Sequence, residues 1–581
     1  MTHWWQRANI YQIYPRSFLD TNGDGIGDLR GIIRKLDYLK DLGIDAIWLC
    51  PVYDSPNDDN GYDIRDYYRI HEEFGTMKDM DRLITEMKKR DMKLVMDLVV
   101  NHCSDEHAWF QKARASRDNA FHDYFIWHPG RGLDEPSQPG TPIPPEPNNW
   151  ASHFRGSAWE WNEQTREYYL HLFSRKQPDL NWENPALRHE IYKMMRFWLD
   201  KGIGGFRMDV INYVSKDPSL PDVPGKDGQR YVHDSRYYAN RPRTHEHLQE
   251  MHQEVLSAYP DCMTIGEMHQ TSVNEGLKYV QPERRELSMI FQFEHLAIDS
   301  GPQGKYDMPV AWDIPALKET LSTWQNGLSG AGWNSLYTGN HDQPRMLSRI
   351  GSTDTNKLRK RSAKAIAAGF LLMQGTPFVY QGEEIGMTNV AFPDIESYRD
   401  IETLNFFREA SAQGMPEKTA MKIVHLRSRD NARTPMQWSS DTHAGFTDGR
   451  PWIPLNPNYP DINVHSDARD PDGVHAFYRE LLHMRRSHPV WTEGTFEDLA
   501  PDHHSIVCYT RRMVDGTVAC VLGNLSAKEV AWTVPDELRT ALRQGTLLLA
   551  SPALEDARVV PESLLPMQTI VCMQAGQENG A

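Results

Sequence analysis

The chain has 581 residues, of which 39% are hydrophobic and 25% are charged, and its formal net charge is -17. This length exceeds what one compact core usually holds, so two or three domains are expected. The net negative charge repels phosphate backbones, and no long Lys/Arg block offsets it. The composition therefore argues against nucleic acid as a partner and favours a neutral or cationic ligand.

Neither the start of the chain nor its cysteines point to a membrane or an export route. The start, "MTHWWQRANI", lacks a basic segment followed by an apolar one, and no window approaches about eighteen uncharged apolar residues. The six cysteines have neither close pairs nor C-x-x-C spacing, which argues against a zinc site and a disulfide scaffold. We therefore expect reduced thiols and a cytoplasmic location; a periplasmic one would require a leader that had been removed.

Eight short, apolar, β-type segments alternate with segments of helical periodicity over most of the chain. In chain order they read "ANIYQIYP", "IDAIWLCP", "KLVMDLVV", "GFRMDV", "CMTIGEM", "LSMIFQF", "NSLYTGN" and "TPFVYQG". Eight is the number of strands that a closed parallel (β/α)8 barrel, or TIM barrel, requires. The sequence therefore predicts an α/β fold built on such a barrel.

Between the first two segments, "DTNGDGIGD" spaces oxygen-bearing side chains as a cation-binding loop does. Asp20, Asn22, Asp24 and Asp28 follow the EF-hand pattern, with a glycine at the sixth position. Gly31 stands at the twelfth position, where a bidentate Glu would be expected. A surface turn rich in Asp and Gly would have the same composition, so the residues alone leave both interpretations open.

Two helices are predicted on either side of the second segment, from apolar residues at i, i+3 and i+4 spacing. The first begins at Leu29, continues to Leu42 and ends at Gly43, which suits the C′ position of a helix. The second covers Met77 to Met87. Both patterns are typical of helices that pack on the outside of a barrel.

About seventy residues after the third segment break the alternation. They include the Pro/Gly-rich stretch "HPGRGLDEPSQPGTPIPPEPNNW", which is flanked by aromatic residues. Loops of this length are usually functional or disordered, and the flanking aromatics favour a small inserted domain.

Near residue 497 the pattern changes to short β-type runs such as "SIVCYTRR", "VACVLGNL" and "TLLLASPA", which predict a C-terminal antiparallel β domain. The predicted organisation is 1–102 for the first part of the barrel, 103–175 for the inserted domain, 176–496 for the second part of the barrel and 497–581 for the C-terminal domain.

Three acids stand at the ends of predicted barrel strands, where a parallel barrel places its active site. Asp209 ends "GFRMD", Glu267 ends "MTIGE" and Asp342 ends "YTGNHD". One acid in such a position would most simply cap the next helix, but three together favour an active site. The basic side chains that accompany them are His102, Arg207 and His341.

Carboxylates that converge in one pocket push their pKa values apart, so that one stays ionised while another holds a proton. Glycoside hydrolysis needs that division between a nucleophile and a proton donor, and its oxocarbenium-like transition state is stabilised by additional negative charge. Period-two alternation also puts residues 207 and 209 on the same face of their strand, where a sugar could solvate the charged pair.

The blocks "DLVVNH", "GFRMDVIN", "TIGEM" and "GNHDQPR", supported by "QPDLNWENP" and "SRDNARTPMQW", resemble the α-amylase superfamily of glycoside hydrolases, glycoside hydrolase family 13. The similarity is to its branch of oligo-1,6-glucosidases, dextran glucosidases and sucrose isomerases. It implies a retaining mechanism with Asp209 as nucleophile, Glu267 as general acid and then base, and Asp342 as transition-state stabiliser. Arg207 would orient Asp209 and keep it ionised, and no organic cofactor is implied.

The same resemblance implies a subsite for one terminal glucose, closed at its far end by an Asp59–Arg429 pair, so that only a chain end fits. The residues matched to this subsite and its aromatic walls are Asp59, Tyr62, His102, Phe154, Phe173, Gln177, His341 and Arg429. Glu402 and Lys305 match positions that contact the leaving sugar. In this family the 20–28 loop binds a structural Ca²⁺, with the carbonyl of Ile26 as a further ligand, and Mg²⁺ could substitute.

Val210, directly after the predicted nucleophile, resembles the α-1,6-acting members, whereas α-1,4-acting members have Ala or Thr there. We therefore expect cleavage of short α-glucosides with a preference for α-1,6 linkages. Such a difference in side-chain size rarely changes the free energy of discrimination between two substrates by more than roughly 1 to 3 kcal/mol, so a preference for one linkage, not an exclusion of the other, is expected. The expected partner is a disaccharide or short oligosaccharide, bound by a monomer.

Three other kinds of protein share part of this pattern. Sucrose isomerases share the catalytic blocks but carry an arginine-rich "RLDRD"-like loop, where this chain has "LAIDSG". Trehalose-6-phosphate hydrolases also carry the Val but need cations for the phosphate, and Lys305 alone is thin support. Transporter subunits that keep the barrel without activity have a membrane helix and incomplete carboxylates, unlike this chain.

Two positions depart from the family. His269 stands where dextran glucosidases have Trp, so long dextrans are less favoured substrates than disaccharides, because an aromatic stacking surface is lost. Cys103 replaces the usual Thr after His102.

Overall fold

A barrel of eight parallel strands lies at the centre of the protein, in a computed structural model that describes residues 3–225, 230–302 and 304–576. Its strands are Ile10–Ile13, Ala46–Leu49, Lys93–Val99, Gly205–Asp209, Met263–Met268, Met289–Gln292, Ser335–Tyr337 and Thr376–Tyr380. Every neighbouring pair is parallel, and a parallel bridge from Ile290 to Asn334 joins the two remaining edges. Each predicted segment contains one of these strands, so the predicted barrel is confirmed.

The barrel strands are apolar almost throughout because both of their faces are covered, by the barrel interior and by the surrounding helices. Ile10–Ile13 and Ala46–Leu49 are buried at every position. Gly205–Asp209 is equally buried, although it carries Arg207 and Asp209. Buried charges in such a strand need partners, and they have them at its carboxyl end, as described below.

Helices surround the barrel, and several start at side chains that cap their free N–H groups. Thr76 caps the helix Met77–Lys89 by accepting a hydrogen bond from the N–H of Asp79. The first predicted helix is divided at Lys35 into Leu29–Arg34 and Leu36–Leu42, and Gly43 ends it with φ of 98°. The other longer helices are Ala108–Ala113, Pro185–Asp200, Pro242–Glu254, Val273–Val280, Ile314–Leu328, Asn356–Leu371, Ile401–Ala412, Glu417–Arg427 and Val474–Ser487.

A three-stranded antiparallel sheet lies in the long segment after the third barrel strand. Its strands are Trp127–His128, Trp159–Asn162 and Glu167–Leu170. The hydrophobic cluster around Trp150 and Trp159 also contains side chains from the loop after the fourth barrel strand, including Tyr213 and Tyr238. Two separate stretches of chain thus build this lobe, and the predicted boundaries at residues 103 and 175 stay predictions.

A five-stranded antiparallel sheet forms the C-terminal region, as predicted. In order across the sheet its strands are Thr495–Asp498, Ile506–Arg512, Val518–Asn524, Thr569–Gln574 and Thr546–Ser551. The helix Asp536–Gln544 covers one face through Leu538, Ala541 and Leu542. Ile506–Arg512 and Val518–Asn524 are buried almost throughout, and successive side chains enter two different hydrophobic clusters, which explains the short apolar runs seen in the sequence.

Within the described residues, no helix has both the length and the apolar character that a membrane crossing requires. The six cysteines are unpaired, and five of them are buried.

Candidate active site

A cavity of about 240 Å³ opens at the carboxyl end of the barrel strands. It is small beside common ligand pockets, which start at roughly 300 Å³, and this size suits one sugar ring better than a long chain. Its lining consists of Asp59, Tyr62, His102, His153, Phe154, Phe173, Asp209, Val210, Glu267, His269, Lys305, Asp342, Gln343, Glu402 and Arg429. Of the predicted site residues, Gln177, Arg207 and His341 lie in the wall behind this surface.

The buried side chain of Arg207 contacts three carboxylates. Its side chain is 1% exposed, and one terminal nitrogen lies 2.7 Å from both Asp97 Oδ1 and Asp209 Oδ1. The other terminal nitrogen lies 2.8 Å from Glu267 Oε2. Asp209 and Glu267 come from neighbouring strands, and one planar guanidinium keeps them side by side.

Asp97 is a functional residue that the sequence analysis missed. It lies on the third barrel strand, directly in register with Arg207. It is fully buried, and its other oxygen accepts a hydrogen bond of 2.8 Å from the indole of Trp48. The signal was present in "VMDLVV", because a lone acid inside an apolar strand needs a buried cation as its partner.

Burial raises the pKa of Asp209 well above its usual value, although Arg207 opposes this. Burial also acts on Glu267, but Arg207 and His269 outweigh it and lower the pKa of that carboxyl to about 2. The single positive charge of Arg207 does not balance the three carboxyl groups of Asp97, Asp209 and Glu267, so full ionisation would leave a net negative charge in a buried volume. The coupled Asp209–Glu267 pair therefore tends to hold a proton, and positive charge developing on a sugar would relieve the repulsion.

Val210 has a strained backbone, with φ of 34° and ψ of 41°. A β-branched residue rarely adopts this left-handed conformation, and the strain has to be offset by the surrounding structure. The conformation turns the N–H of Val210 toward Glu267 Oε2, at 3.2 Å. The residue after Asp209 thus lines the cavity and also positions the second carboxylate.

Asp342 lies beyond the end of its strand, in the loop after Ser335–Tyr337, where cations surround it. His341 Nε2 is 3.0 Å from Asp342 Oδ2, and Arg429 and Arg433 are 3.1 and 2.7 Å from Oδ1. Despite burial, these cations hold the pKa of Asp342 well below its usual range. Asp342 in turn raises the pKa of His341 to about 10, against the effect of burial. Asp342 is therefore ionised at any working pH.

The far end of the cavity is closed by Asp59 and Arg429, 3.1 Å apart. Asp400 holds the same guanidinium at 2.7 Å, and the ring of Phe154 lies 5.0 Å beneath it. Asp400 and Arg433 were not predicted, although they lie in "YRDIE" and in the quoted block "SRDNARTPMQW". Only distant contacts in the fold distinguish them from neighbouring charged residues.

The predicted polar wall beside this end forms one hydrogen-bonded group. Gln177 Nε2 is 3.2 Å from Asp59 Oδ2, from the carbonyl of Tyr62 and from His102 Nε2. Burial lowers the pKa of His102 to about 4, so its ring is neutral near pH 7. Tyr62 stacks on His341 at 5.1 Å between ring centroids. Cys103 is buried beside His102 and does not line the cavity.

Two further pairs of polar side chains contribute to the cavity lining. Lys305 Nζ lies 2.6 Å from Glu402 Oε2, and His269 Nε2 lies 3.5 Å from Glu267 Oε1. His153, which the sequence analysis missed, lies against Phe173 at 5.1 Å between ring centroids.

The 20–28 loop lies apart from the cavity. Asp20 Oδ1 accepts hydrogen bonds from the N–H groups of Asn22 and Gly23, and Asp24 Oδ1 accepts one from Ile26. The oxygen atoms of this short loop suit a hard cation. Asp20 Oδ2 also accepts hydrogen bonds from the N–H of Gly25 and the hydroxyl of Thr447, so the Asp20 carboxylate is already bound by four protein donors. Within the described part of the chain, however, no group of three or more His, Cys, Asp and Glu side chains is arranged to hold a metal ion.

A parallel barrel with three carboxylates around a cavity of one-sugar size is the arrangement of a glycoside hydrolase. A family model described as the alpha amylase catalytic domain matches residues 12–494. The chain belongs to this α-amylase family.

Similar proteins cover almost the whole chain. An oligo-1,6-glucosidase from Parageobacillus thermoglucosidasius is 54% identical over 560 residues, which are 96% of each protein. The crystal structure of a trehalose-6-phosphate hydrolase from Bacillus licheniformis has a TM-score of 0.89 at 44% identity, covering 98% of this chain and 100% of that one. The trehalulose synthase from Pseudomonas mesoacidophila has a TM-score of 0.89 at 41% identity, covering 99% and 100%.

Proposed function

We propose that this enzyme is a retaining, exo-acting α-glucosidase that removes the terminal non-reducing glucose from short α-glucosides and prefers α-1,6 linkages. The observation that supports it best is the binding of Asp209 and Glu267 to one guanidinium inside a cavity closed by Asp59 and Arg429. Similarity to oligo-1,6-glucosidases over nearly the whole chain points to the same linkage.

The two carboxyl groups divide the reaction between them. Arg207 binds Asp209 Oδ1, which leaves Oδ2 to attack the anomeric carbon and form the glucosyl ester. Glu267 Oε2 is bound by Arg207 and Val210, which leaves Oε1 to protonate the departing oxygen. Glu267 then takes a proton from water as that water cleaves the ester. The pKa directions in this structure favour a proton on Asp209, so that proton has to pass to Glu267 before each cycle begins. Asp342, always ionised, stabilises the positive sugar in both steps.

Exo action follows from the closed end of the cavity. Arg429 is fixed by Asp59, Asp342 and Asp400, so this wall cannot open without breaking buried ion pairs. A sugar with a further residue on its non-reducing side would meet this wall. Glucose is therefore the expected product.

Trehalose-6-phosphate hydrolysis and sucrose isomerisation have less support from the structure. Lys305 is paired with Glu402, so it is not a free cation for a phosphate on the leaving sugar. In "LAIDSG", Asp299 is buried and bound by Arg349 and Arg427, and this segment does not line the cavity. The paired Lys305 does not provide the free positive charge that a phosphorylated substrate would need. The segment "LAIDSG" does not provide the arginine-rich loop of the isomerases.

Product analysis over isomaltose, isomaltulose, maltose, sucrose and trehalose 6-phosphate tests the proposal. We expect glucose release, fastest from the α-1,6-linked sugars. Turnover of the phosphorylated sugar alone would show a trehalose-6-phosphate hydrolase, and rearranged sucrose products would show an isomerase.

Replacement of Val210 by Ala is expected to weaken the preference for α-1,6 linkages. The loss of two methyl groups beside Asp209 widens the cavity, and the ratio of kcat/KM for isomaltose over maltose should fall by roughly 5- to 50-fold, within the range for such size changes. Val210→Ile, which keeps the β-branch, is the matched control. An unchanged ratio in Val210→Ala would remove Val210 from the determinants of linkage.

We also propose that Asp20, Asn22, Asp24, Asp28 and the carbonyl of Ile26 bind a structural Ca²⁺. The support is their oxygen chemistry, their spacing and the two glycines with positive φ, Gly23 and Gly25, that let the loop turn. The ion would stabilise the loop and would take no part in catalysis.

Removal of Ca²⁺ with EDTA should lower the Tm by several degrees, with full recovery on adding Ca²⁺ and with kcat unchanged at a temperature where both forms are folded. Asp24→Ala should abolish this response, whereas Asp66→Ala, an acid outside the loop, should keep it. A Tm that changes with neither EDTA nor Ca²⁺ would refute the proposal.

The cytoplasmic location and the monomeric state of the protein stay predictions.

A further inference from the structure

His269 is fixed beside the acid Glu267, just past the end of the strand Met263–Met268. Its ring stacks on Phe293, with 4.0 Å between centroids and 22° between planes. Its backbone carbonyl accepts a hydrogen bond of 2.9 Å from the side-chain amide of Asn212. Backbone and ring are thus both held, so the position of Nε2 is set by the fold.

The two oxygens of Glu267 have different surroundings. Oε2 is held by Arg207 and by the N–H of Val210, on the buried side. Oε1 is 3.5 Å from His269 Nε2, a distance at which a small shift makes a hydrogen bond. His269 is 37% exposed in its side chain, whereas Glu267 is 5% exposed. His269 therefore lies between the proton-carrying oxygen and the solvent.

We propose that His269 is a positioning residue for Glu267: its ring, supported by Phe293, aims Oε1 at the departing oxygen. The proposal rests on the proposed function, because it assumes that Glu267 is the acid and base. Neither the similarity to the family nor the division of roles above assigns a part in the reaction to this histidine.

Several charged and titratable groups surround the contact between His269 and Glu267 and affect the pKa of Glu267. Arg207 and His269 act on Glu267 from the barrel, Asp342 from the loop after its strand, and His153 faces His269 from the inserted lobe. The ring centroids of Tyr213 and His269 are 6.4 Å apart, and Phe293, which stacks on His269, carries no charge. Because Arg207 and His269 lower the pKa of Glu267 against the effect of burial, removal of His269 should raise it.

The pH profile of kcat/KM separates positioning from packing. In His269→Ala, the alkaline limb, which reports loss of the proton from Glu267, should move to higher pH by roughly 0.5 to 1 unit. Activity at the optimum should fall about tenfold on isomaltose, whose leaving group needs a well-aimed acid, and less than about threefold on p-nitrophenyl α-glucoside, whose leaving group does not.

A conservative variant and a support variant complete the test. His269→Gln keeps an N–H near Oε1 without a titratable charge, so it should recover most of the activity on isomaltose but keep the shifted limb. Phe293→Leu should reproduce part of the alanine effect, because it removes the support of the ring. Circular dichroism and Tm establish that each variant is folded.

Two failures are distinguishable. An equal loss on both substrates with an unmoved alkaline limb would show that His269 only packs, and would overturn the inference while the glucosidase stands. Wild-type enzyme without α-glucoside hydrolysis, or full activity in Glu267→Gln, would overturn the proposed function itself.

Discussion

Replacement of Asp209 by Asn is expected to lower kcat/KM by at least about 10⁴-fold on both isomaltose and p-nitrophenyl α-glucoside. An amide cannot form the glucosyl ester, so a good leaving group does not rescue the variant. The fold should be retained, because Arg207 keeps Asp97 and Glu267 as partners at 2.7 and 2.8 Å. Removing one carboxylate also removes buried like-charge repulsion, so the Tm should not fall.

The matched control is Asp81→Asn, the same change at an acid that is 52% exposed on the helix Met77–Lys89. It should leave both kcat and Tm within error of the wild type. If Asp209→Asn kept more than a few per cent of the activity, Asp209 would not be the nucleophile. The retaining mechanism proposed above would then have to be abandoned.

Glu267→Gln is expected to separate the two substrates. Loss of the proton donor should lower kcat/KM on isomaltose by about 10³-fold or more, within the range of general acid catalysis. For p-nitrophenyl α-glucoside the first step should survive, and the glucosyl enzyme should accumulate because no base activates water. A burst of p-nitrophenol followed by slow turnover is the measurement, and azide, which needs no base, should speed the second phase.

The control for this variant is Glu250→Gln, at an acid that contacts Arg188 on the outside of the barrel. Equal losses on both substrates without a burst would contradict the role of Glu267 as acid and base. Such a result would leave Glu267 as a group that only holds Arg207.

The two charge networks explain how one cavity keeps its acids in different states. Arg207 is the one strong cation among Asp97, Asp209 and Glu267, so that group remains short of positive charge. Around Asp342 the balance is reversed, because His341, Arg429 and Arg433 all contact it. The first network can therefore exchange a proton during the reaction, whereas the second stays ionised.

Much of the fold could be predicted because its signals are local. The barrel strands are short apolar runs between segments of helical period, and the C-terminal strands are short β-type runs without such segments, so neither prediction needed distant contacts. Alternation along "GFRMD" likewise placed Arg207 and Asp209 on one face. The helix over 29–42 was predicted as continuous but is divided at Lys35, a local irregularity that periodicity does not reveal.

The sequence by itself determined the eight barrel strands, the acids at the strand ends and, through similarity, the residues expected around one sugar. Only the tertiary structure decided that Asp97 faces Arg207, that Asp400 holds Arg429 while Arg433 contacts Asp342, and that Phe293 supports His269. The physical reason is that side-chain periodicity specifies which face a residue lies on. Which charges meet on that face depends on the register between strands and on loops that return from distant parts of the chain.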